Sequence, residues 1–339
     1  MPEAAPKTLE PSDPRRWVRG SGWIWLSAGA ISLGLLGVVV AQIDWGTAAA
    51  MLDGLAWPYV AGAICLLLAE GVVTSIRIWI FSARKPALTA AIRANAWYVV
   101  LLVLLPARLG EVAAVFVFQN HLGQKPGAAS MSVVAQRLYD VACLGAVFLI
   151  ALAGLGDAIP SGILAVIAAG LLGGAAAALV RLDFLLSLGA RWLLGMKLHR
   201  QVIVRPAVRL VLQARTWNRH MMSRKEVPMA VATTLLKWGA NLGALACLLS
   251  AVGLGLPVAG QFAIATAYNF LAIIPVQTIG GFGVGEAGLS LLLIASGIAV
   301  PVAASASVLM RLVLVCSPFL FFLLVHGLVR IGENVRNEP

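Results

Sequence analysis

Long apolar runs alternate with short polar joints along most of the chain. The runs cover about 23–43, 59–81, 94–118, 131–155, 161–180, 229–254, 258–300 and 302–325, and a helix of about 20 apolar residues crosses a hydrocarbon core roughly 30 Å thick. The pattern predicts an all-α, polytopic integral membrane protein of about eight helical elements. Two runs are broken. In LLPARLGEVAAV, Pro106, Arg108, Gly110 and Glu111 interrupt the third run after about 11 residues, which at 1.5 Å each reach only halfway through the core. In IIPVQTIGGFGVGEAGL, Pro275 and Gly280, Gly281, Gly283 and Gly285 precede Glu286. Proline removes a backbone donor and glycine relaxes the chain, so both stretches are predicted to unwind.

Charge placement chooses between hairpins and straight crossings. Lys7, Arg15, Arg16 and Arg19 put the N-terminus inside, leaving Asp44 and Asp53 in an outer loop without Lys or Arg, and Arg84, Lys85 and Arg93 inside again. A straight crossing at 94–118 would send the basic loop 181–228 outside, against the positive-inside rule. A hairpin that enters and returns keeps Lys125, that loop, Arg330 and Arg336 inside, with Asp157 outside. The segment 258–300 then starts and ends outside, so the two hairpins dip toward each other from opposite faces, and two full spans there would preserve the same sidedness.

The predicted organisation is an inverted repeat with two re-entrant or broken-helix hairpins. A disordered tail covers 1–20, a first membrane repeat 21–160, a second 161–330 including loop 181–228, and a short tail 331–339. Spacing supports it independently, because Glu111 precedes Arg137 by 26 residues and Glu286 precedes Arg311 by 25. The second hairpin loop is longer, and its arms are expected nearly to span.

Composition agrees. The chain is 60% hydrophobic and 12% charged, against roughly a quarter charged in soluble domains, which excludes a water-soluble globule. A net charge of +11 would point to nucleic acid in a soluble protein, but here the basic residues separate apolar runs and report orientation, so no nucleic-acid partner is expected. Cys65, Cys143, Cys247 and Cys316 fall inside apolar runs without ligand spacing, the histidines form no ligand set, and no metal or cofactor is expected.

Glu70, Arg77, Arg108, Glu111, Arg137, Asp140, Lys237, Glu286 and Arg311 lie at membrane depth. Each costs about 2.5–3.5 kcal/mol at a helix centre on insertion scales, so they imply a paired network, a wet cavity or both. Glu70 and Arg77, seven apart, and Arg137 and Asp140, three apart, share helix faces and suit local ion pairs, with Glu70 or Asp140 as candidate proton carriers. Lys237 either joins the network or snorkels to the cytoplasmic face. The helix starts near Glu111 and Glu286 offer N–H groups to an anion such as lipid phosphate, or the glutamates themselves accept those groups. Arginine's fork suits phosphate oxygens, making Arg108, Arg137 and Arg311 candidate ligands. The basic and apolar loop 181–228 reads either as an interfacial helix on an anionic leaflet or as an ordinary cytoplasmic loop.

The run LLPARLGE, the Gln136–Asp140 segment QRLYD and IIPVQTIGGFGVGE together resemble the transmembrane region of lysylphosphatidylglycerol synthases and their stand-alone, flippase-like relatives, some tied to hopanoid or polyprenyl-lipid pathways. The resemblance covers nearly the whole helical chain and implies a lipid-handling membrane protein of about eight helices. It assigns functional weight to Pro106, Arg108, Gly110 and Glu111, to Arg137 and Asp140, and to Gly280, Gly281, Gly283 and Glu286. Gln136 and Gly285 depart from the family pattern, where Glu and Arg are expected. The synthases' soluble aminoacyl-transfer domain is not expected here, since the sequence ends at Pro339.

These readings converge on a lipid transporter of a bacterial-type inner membrane, with both termini cytoplasmic and no enzyme activity. Its cargo is a phosphate-containing lipid: an aminoacyl-phospholipid, a polyprenyl-phosphate or a hopanoid-type lipid. The alternative is a membrane-embedded lipid-modifying transferase, or an accessory scaffold partnered with a lipid-modifying enzyme. No P-loop signals direct use of ATP, and the outer-loop acids Asp44, Asp53 and Asp157 are scattered singly.

Overall fold

The computed structural model describes residues 33–34, 37–82, 86–105, 109–153, 170, 187–188, 204–221, 226–271 and 281–337. Pro106, Arg108, Pro275 and Gly280, most of the predicted spans 23–43 and 161–180, and loop 181–228 apart from 187–188, 204–221 and 226–228 lie outside the described residues. The described elements are helical: α1 (Trp45–Asp53), α2 (Trp57–Phe81), α3 (Leu88–Leu104), α4 (Leu109–Leu122), α5 (Pro126–Ala153), α6 (Val204–Met221), α7 (Glu226–Ala251), α8 (Val258–Leu271), α9 (Val284–Ala295) and α10 (Val300–Asn337). Stretches of α2, α5, α7 and α10 are long and apolar enough to cross a membrane, and the protein is a multi-pass helical membrane protein.

The loop between the first two apolar runs contains a helix that the apolar pattern did not anticipate. Asp44 starts α1 by accepting the N–H groups of Gly46 and Thr47 and the Thr47 hydroxyl, the last at 2.6 Å. The hydroxyl foremost, then the two amides, hold the Asp44 carboxyl below its ordinary range.

Helices α2 and α7 form an antiparallel central pair. The Ala56 N–H before α2 donates to the Ala251 carbonyl that ends α7, at 3.1 Å, while Phe81 at the other end of α2 shares an apolar cluster with Ala230 near the start of α7. Outward and inward faces are chemically reversed relative to a soluble protein: on α7, Leu235 and Leu236 face out while Lys237 and Trp238 are buried. Charge inside and apolar groups outside is the arrangement a lipid solvent selects.

The first hairpin, α3 and α4, opens at the end of this pair where α2 finishes. Gln124, just past α4, donates to the Ser82 hydroxyl, Trp79 donates to the Pro86 carbonyl before α3, and Ala91 and Leu122 pack on Ile78. Its arms have 17 and 14 residues, about 25 and 21 Å at 1.5 Å per residue, too short for a core of roughly 30 Å. The segment enters and returns, and its helical arms run from 88 to 122, wider than the predicted 94–118.

The second hairpin, α8 and α9, opens at the opposite end, where α7 finishes. Ser250 donates to the Gln261 side chain, and Leu293 and Ile298 pack among the apolar residues that close α7. Its described helical arms have 14 and 12 residues, and residues 272–280 between them, on which the expectation of nearly spanning arms depends, lie outside the described residues.

Each hairpin then leans on the last long helix of the other half. Helix α3 packs on α10, with Trp97 edge-on to Phe322 at 4.9 Å between centroids, and α8 packs on α5, with Phe270 edge-on to Phe148 at 5.9 Å. Two hairpins opening from opposite ends, each crossing to its counterpart's final helix, make an inverted repeat. Helix α10 exceeds the predicted 302–325, running to Asn337 through Pro318. Pro318 lacks the N–H that would reach Leu314, and the Ser317 hydroxyl donates to that carbonyl at 3.2 Å instead. Helix α6 lies along α5, pinned by Trp217, whose indole N–H donates to the Phe81 carbonyl at 2.9 Å.

The hairpin arms meet at Gly110, where a β-carbon would sit 2.6 Å from the Leu102 α-carbon. Gly110→Val is expected to destabilise the fold by about 1–3 kcal/mol through overpacking, read as a lowered melting temperature in detergent. Gly239→Ala, at an open position, serves as the neutral control.

Candidate functional site

Asp140 on α5, 3% exposed, is the hub of the buried polar groups. Its Oδ1 accepts from Arg77 Nη1 at 2.6 Å, Trp238 Nε1 at 2.8 Å and Lys237 Nζ at 3.2 Å, and its Oδ2 from Arg137 Nη1 at 3.4 Å. Arg77 also donates to the Gln136 carbonyl. One carboxylate thereby ties α2, α5 and α7 together. Arg137 and Lys237 each lie eleven residues into their helices, about 16 Å along, near the middle of the core.

Arg137 links this hub to the first hairpin: its Nη2 donates to the Tyr98 hydroxyl at 2.9 Å and faces Glu111 Oε1 at 3.1 Å. Glu70 takes a different partner. Its Oε2 accepts from Asn241 on α7 at 3.0 Å, and Asn241 Oδ1 accepts from Asn269 on α8 at 3.0 Å, so a polar thread crosses the central pair to the second hairpin. Arg77, Arg137 and Lys237 stand against Glu70, Glu111 and Asp140, and the group is formally neutral. That balance explains how six ionisable side chains are tolerated at this depth.

Two sequence expectations change here. Glu70 and Arg77 share a helix face but do not pair, because Asp140 lies closer to the guanidinium and Asn241 takes Glu70. Lys237 does not snorkel: it turns inward to Asp140 and lies 3.9 Å from the Trp238 ring centroid. The pairing of Arg137 with Asp140 is present, as the longest contact on the hub.

The second hairpin repeats the first one's triad. Arg311 Nη1 donates to the Tyr268 hydroxyl at 2.8 Å, and Arg311 Nε lies 3.7 Å from Glu286 Oε1. Tyr98–Glu111–Arg137 and Tyr268–Glu286–Arg311 therefore match in partner type and in placement: first arm, start of second arm, following helix. Glu286 also accepts the Gly283 N–H at 2.6 Å, so at this helix start the protein's own carboxylate takes the donor that the sequence reading offered to an anion. The Arg311 guanidinium covers the turn so closely that a β-carbon at Gly281, where φ is +64°, would sit 2.5 Å from Nη2, and one at Gly285 3.2 Å from Cζ. Gly283, at φ +83°, opens α9.

A polar cavity of about 110 Å³ lies between α2, α3, α5 and α7, with Arg77, Arg137, Asp140, Lys237, Tyr98 and Glu70 in its wall. A neighbouring cavity of about 200 Å³, lined mainly by apolar side chains including Val103, Pro318 and Phe321, shares Glu70, Thr74, Val99 and Leu102 with it. Glu111, Glu286 and Arg311 line neither. Both cavities lie against the first hairpin, while apolar packing around Leu245, Leu248, Leu249 and Met310 joins α7, α8, α9 and α10; the turns of the two hairpins, where a shared cleft is expected, lie outside the described residues.

A family model, Lysylphosphatidylglycerol synthase TM region, matches residues 25–321. The chain belongs to this family. Membership ties it to membrane-lipid modification or transport. No curated protein and no solved structure matches the chain. Both departures from the family pattern have local explanations. The Gly285 position lies against Arg311, leaving no space there for a second arginine. Gln136 contributes its backbone carbonyl to Arg77, while its side chain donates to Ser132. The four free cysteines are unpaired, and among the described residues no group of His, Cys, Asp or Glu is placed to hold a metal.

Sequence reasoning missed Tyr98, Tyr268, Trp238, Asn241 and Asn269. The tyrosines carried a readable signal: one precedes each hairpin glutamate, by 13 and 18 residues, and the five-residue difference falls in the longer second loop.

Removing the hub charge tests its structural weight. Asp140→Asn leaves buried cations uncompensated and is expected to cost about 3–5 kcal/mol, read as lost monodispersity in detergent. Adding Lys237→Met is expected to recover part of that stability.

Proposed function

We propose that this protein carries a phosphate-containing lipid between leaflets, with the head group in the cation-lined chamber and the tails in the bilayer. The observation that supports this reading is the chamber itself: guanidinium and ammonium groups at mid-membrane depth, reachable from a cavity. In lipid surroundings the abundant anion is phosphate, and arginine binds its oxygens through a planar fork. Arg137 is the working cation. Its side chain is 33% exposed, against 1% for Arg77 and 11% for Lys237, so it can exchange Asp140 for a ligand while the other two hold the hub.

The duplicated Tyr–Glu–Arg triad supports alternating access. Inverted repeats in secondary transporters place a site between related halves, and rocking one half against the other exposes it to each side in turn. Opening at the first hairpin would release Arg137, and opening at the second would release Arg311. The reading is of a carrier rather than an enzyme, since Asp140 accepts from four donors and has no capacity left as a general base. We place the protein in a bacterial-type inner membrane with both termini cytoplasmic, following the basic loop 181–228. Basic residues of α6, Arg209 and Arg215 among them, would rest on anionic head groups, and a lipid-modifying enzyme is the natural partner to supply or consume the cargo.

Reconstituted vesicles carrying a fluorescent anionic phospholipid test the proposal. Arg137→Ala is expected to slow leaflet exchange at least tenfold and Arg311→Ala several-fold, with both variants still monodisperse. Rates equal to wild type would remove these residues from the mechanism.

A further inference from the structure

The two adjoining cavities differ in chemistry, and their shared wall contains Glu70. We propose that they form one binding site for a phosphate monoester carried on a single apolar chain. The phosphate sits by Arg137, Tyr98 and Glu70, and the chain lies against Val103, Pro318 and Phe321. This rests on the lipid-carrier reading and narrows its cargo.

Size sets the first limit. The polar chamber is about 110 Å³, smaller than the engineered apolar cavity of about 150 Å³ that accepts benzene. A phosphate group fits. Across the wall formed by Glu70, Thr74, Val99 and Leu102 the chamber continues into the larger cavity, lined mainly by apolar side chains.

Charge sets the second. The five charged side chains that line the chamber, Arg77, Arg137 and Lys237 against Glu70 and Asp140, sum to +1, so a monoanion neutralises them and a ligand bearing two full negative charges would leave the site negative. A monoester phosphate can enter as a monoanion that keeps one proton, because its second ionisation lies near pH 6. That retained P–OH is a donor, and Glu70 is the acceptor placed for it. Of the two acids that line the chamber, Asp140 is held by Arg77, Lys237 and Arg137. Glu70 is held through Oε2 by the neutral Asn241. A phosphodiester has no P–OH and would present only oxygens to this carboxylate. The same carboxylate thus selects for the monoester and against the diester, which is specificity through an unpaired or repelled group.

The third limit is the apolar chamber. Its wall of Val103, Leu314, Pro318 and Phe321 leaves no charged group beyond Glu70 to receive a second head group, so the chain of the ligand extends along α10.

Binding to the full chain in detergent decides the matter, with oleoyl lysophosphatidic acid, its phosphate methyl ester, oleoyl lysophosphatidylglycerol and inorganic phosphate as probes. Lysophosphatidic acid is expected to bind at least tenfold more tightly than the methyl ester, which differs by one P–OH, and more tightly still than lysophosphatidylglycerol or inorganic phosphate. Glu70→Gln is expected to reduce the preference over the methyl ester to under threefold, and Val103→Trp to weaken lysophosphatidic acid tenfold without changing inorganic phosphate. The wild-type comparison stands even if a variant fails to fold. Equal affinity for monoester and methyl ester would overturn the proposal while leaving the lipid-carrier reading intact. Inorganic phosphate binding as tightly as lysophosphatidic acid would also overturn it. Saturable binding of no lipid would overturn the carrier reading itself.

Discussion

A carboxylate inside a membrane has to be matched by donors, and in this protein Asp140 is matched by Arg77, Lys237, Trp238 and Arg137. Those donors come from α2, α5 and α7, so satisfying one buried charge fixes three helices in register. Where helices gain little by hiding apolar surface from lipid, polar contacts of this kind and close packing determine which arrangement forms. The central α2–α7 pair, the docking of the first hairpin through Arg137 and the cation-lined chamber all follow from that contact.

The hub lies on one side of an otherwise duplicated architecture. Both halves have a helical hairpin, an aromatic pair joining it to the opposite long helix, and a Tyr–Glu–Arg triad. Beside the first hairpin, Arg77 and Asp140 of the first half and Lys237 of the second add the hub and a cavity. Beside the second, leucines around Leu245 and Leu248 pack against α8, α9 and α10. Glu286 caps its own helix, beneath Arg311.

Much of this was readable in the sequence because it follows from the lipid solvent. Apolar runs gave the spans, basic loops gave the return of the first hairpin, and the matched spacings from Glu111 to Arg137 and from Glu286 to Arg311 gave the repeat. What escaped was set by distance across the fold. Arg77 and Glu70 share a helical face, yet each finds a partner on another helix, and Lys237 turned inward because Asp140, 97 residues earlier, was there to receive it. Helix periodicity describes neighbours on one helix and is silent about partners on another. Trp238 and Asn241 looked like ordinary members of an apolar run, and only packing shows that they serve Asp140 and Glu70. Helix α1 was missed because its start depends on the side chain of Asp44 rather than on apolar periodicity.

The proposed carrier mechanism depends on the two hairpins opening at opposite faces of the membrane. Cysteine labelling in sealed, oriented vesicles measures this most directly, after Cys65, Cys143, Cys247 and Cys316 are replaced by alanine. His121→Cys, at the open end of the first hairpin, and Ser296→Cys, at the open end of the second, are both exposed. A membrane-impermeant maleimide is expected to label His121→Cys from the cytoplasmic side alone and Ser296→Cys from the opposite side alone. Labelling of both positions from the same side would contradict the inverted arrangement and the carrier mechanism built on it.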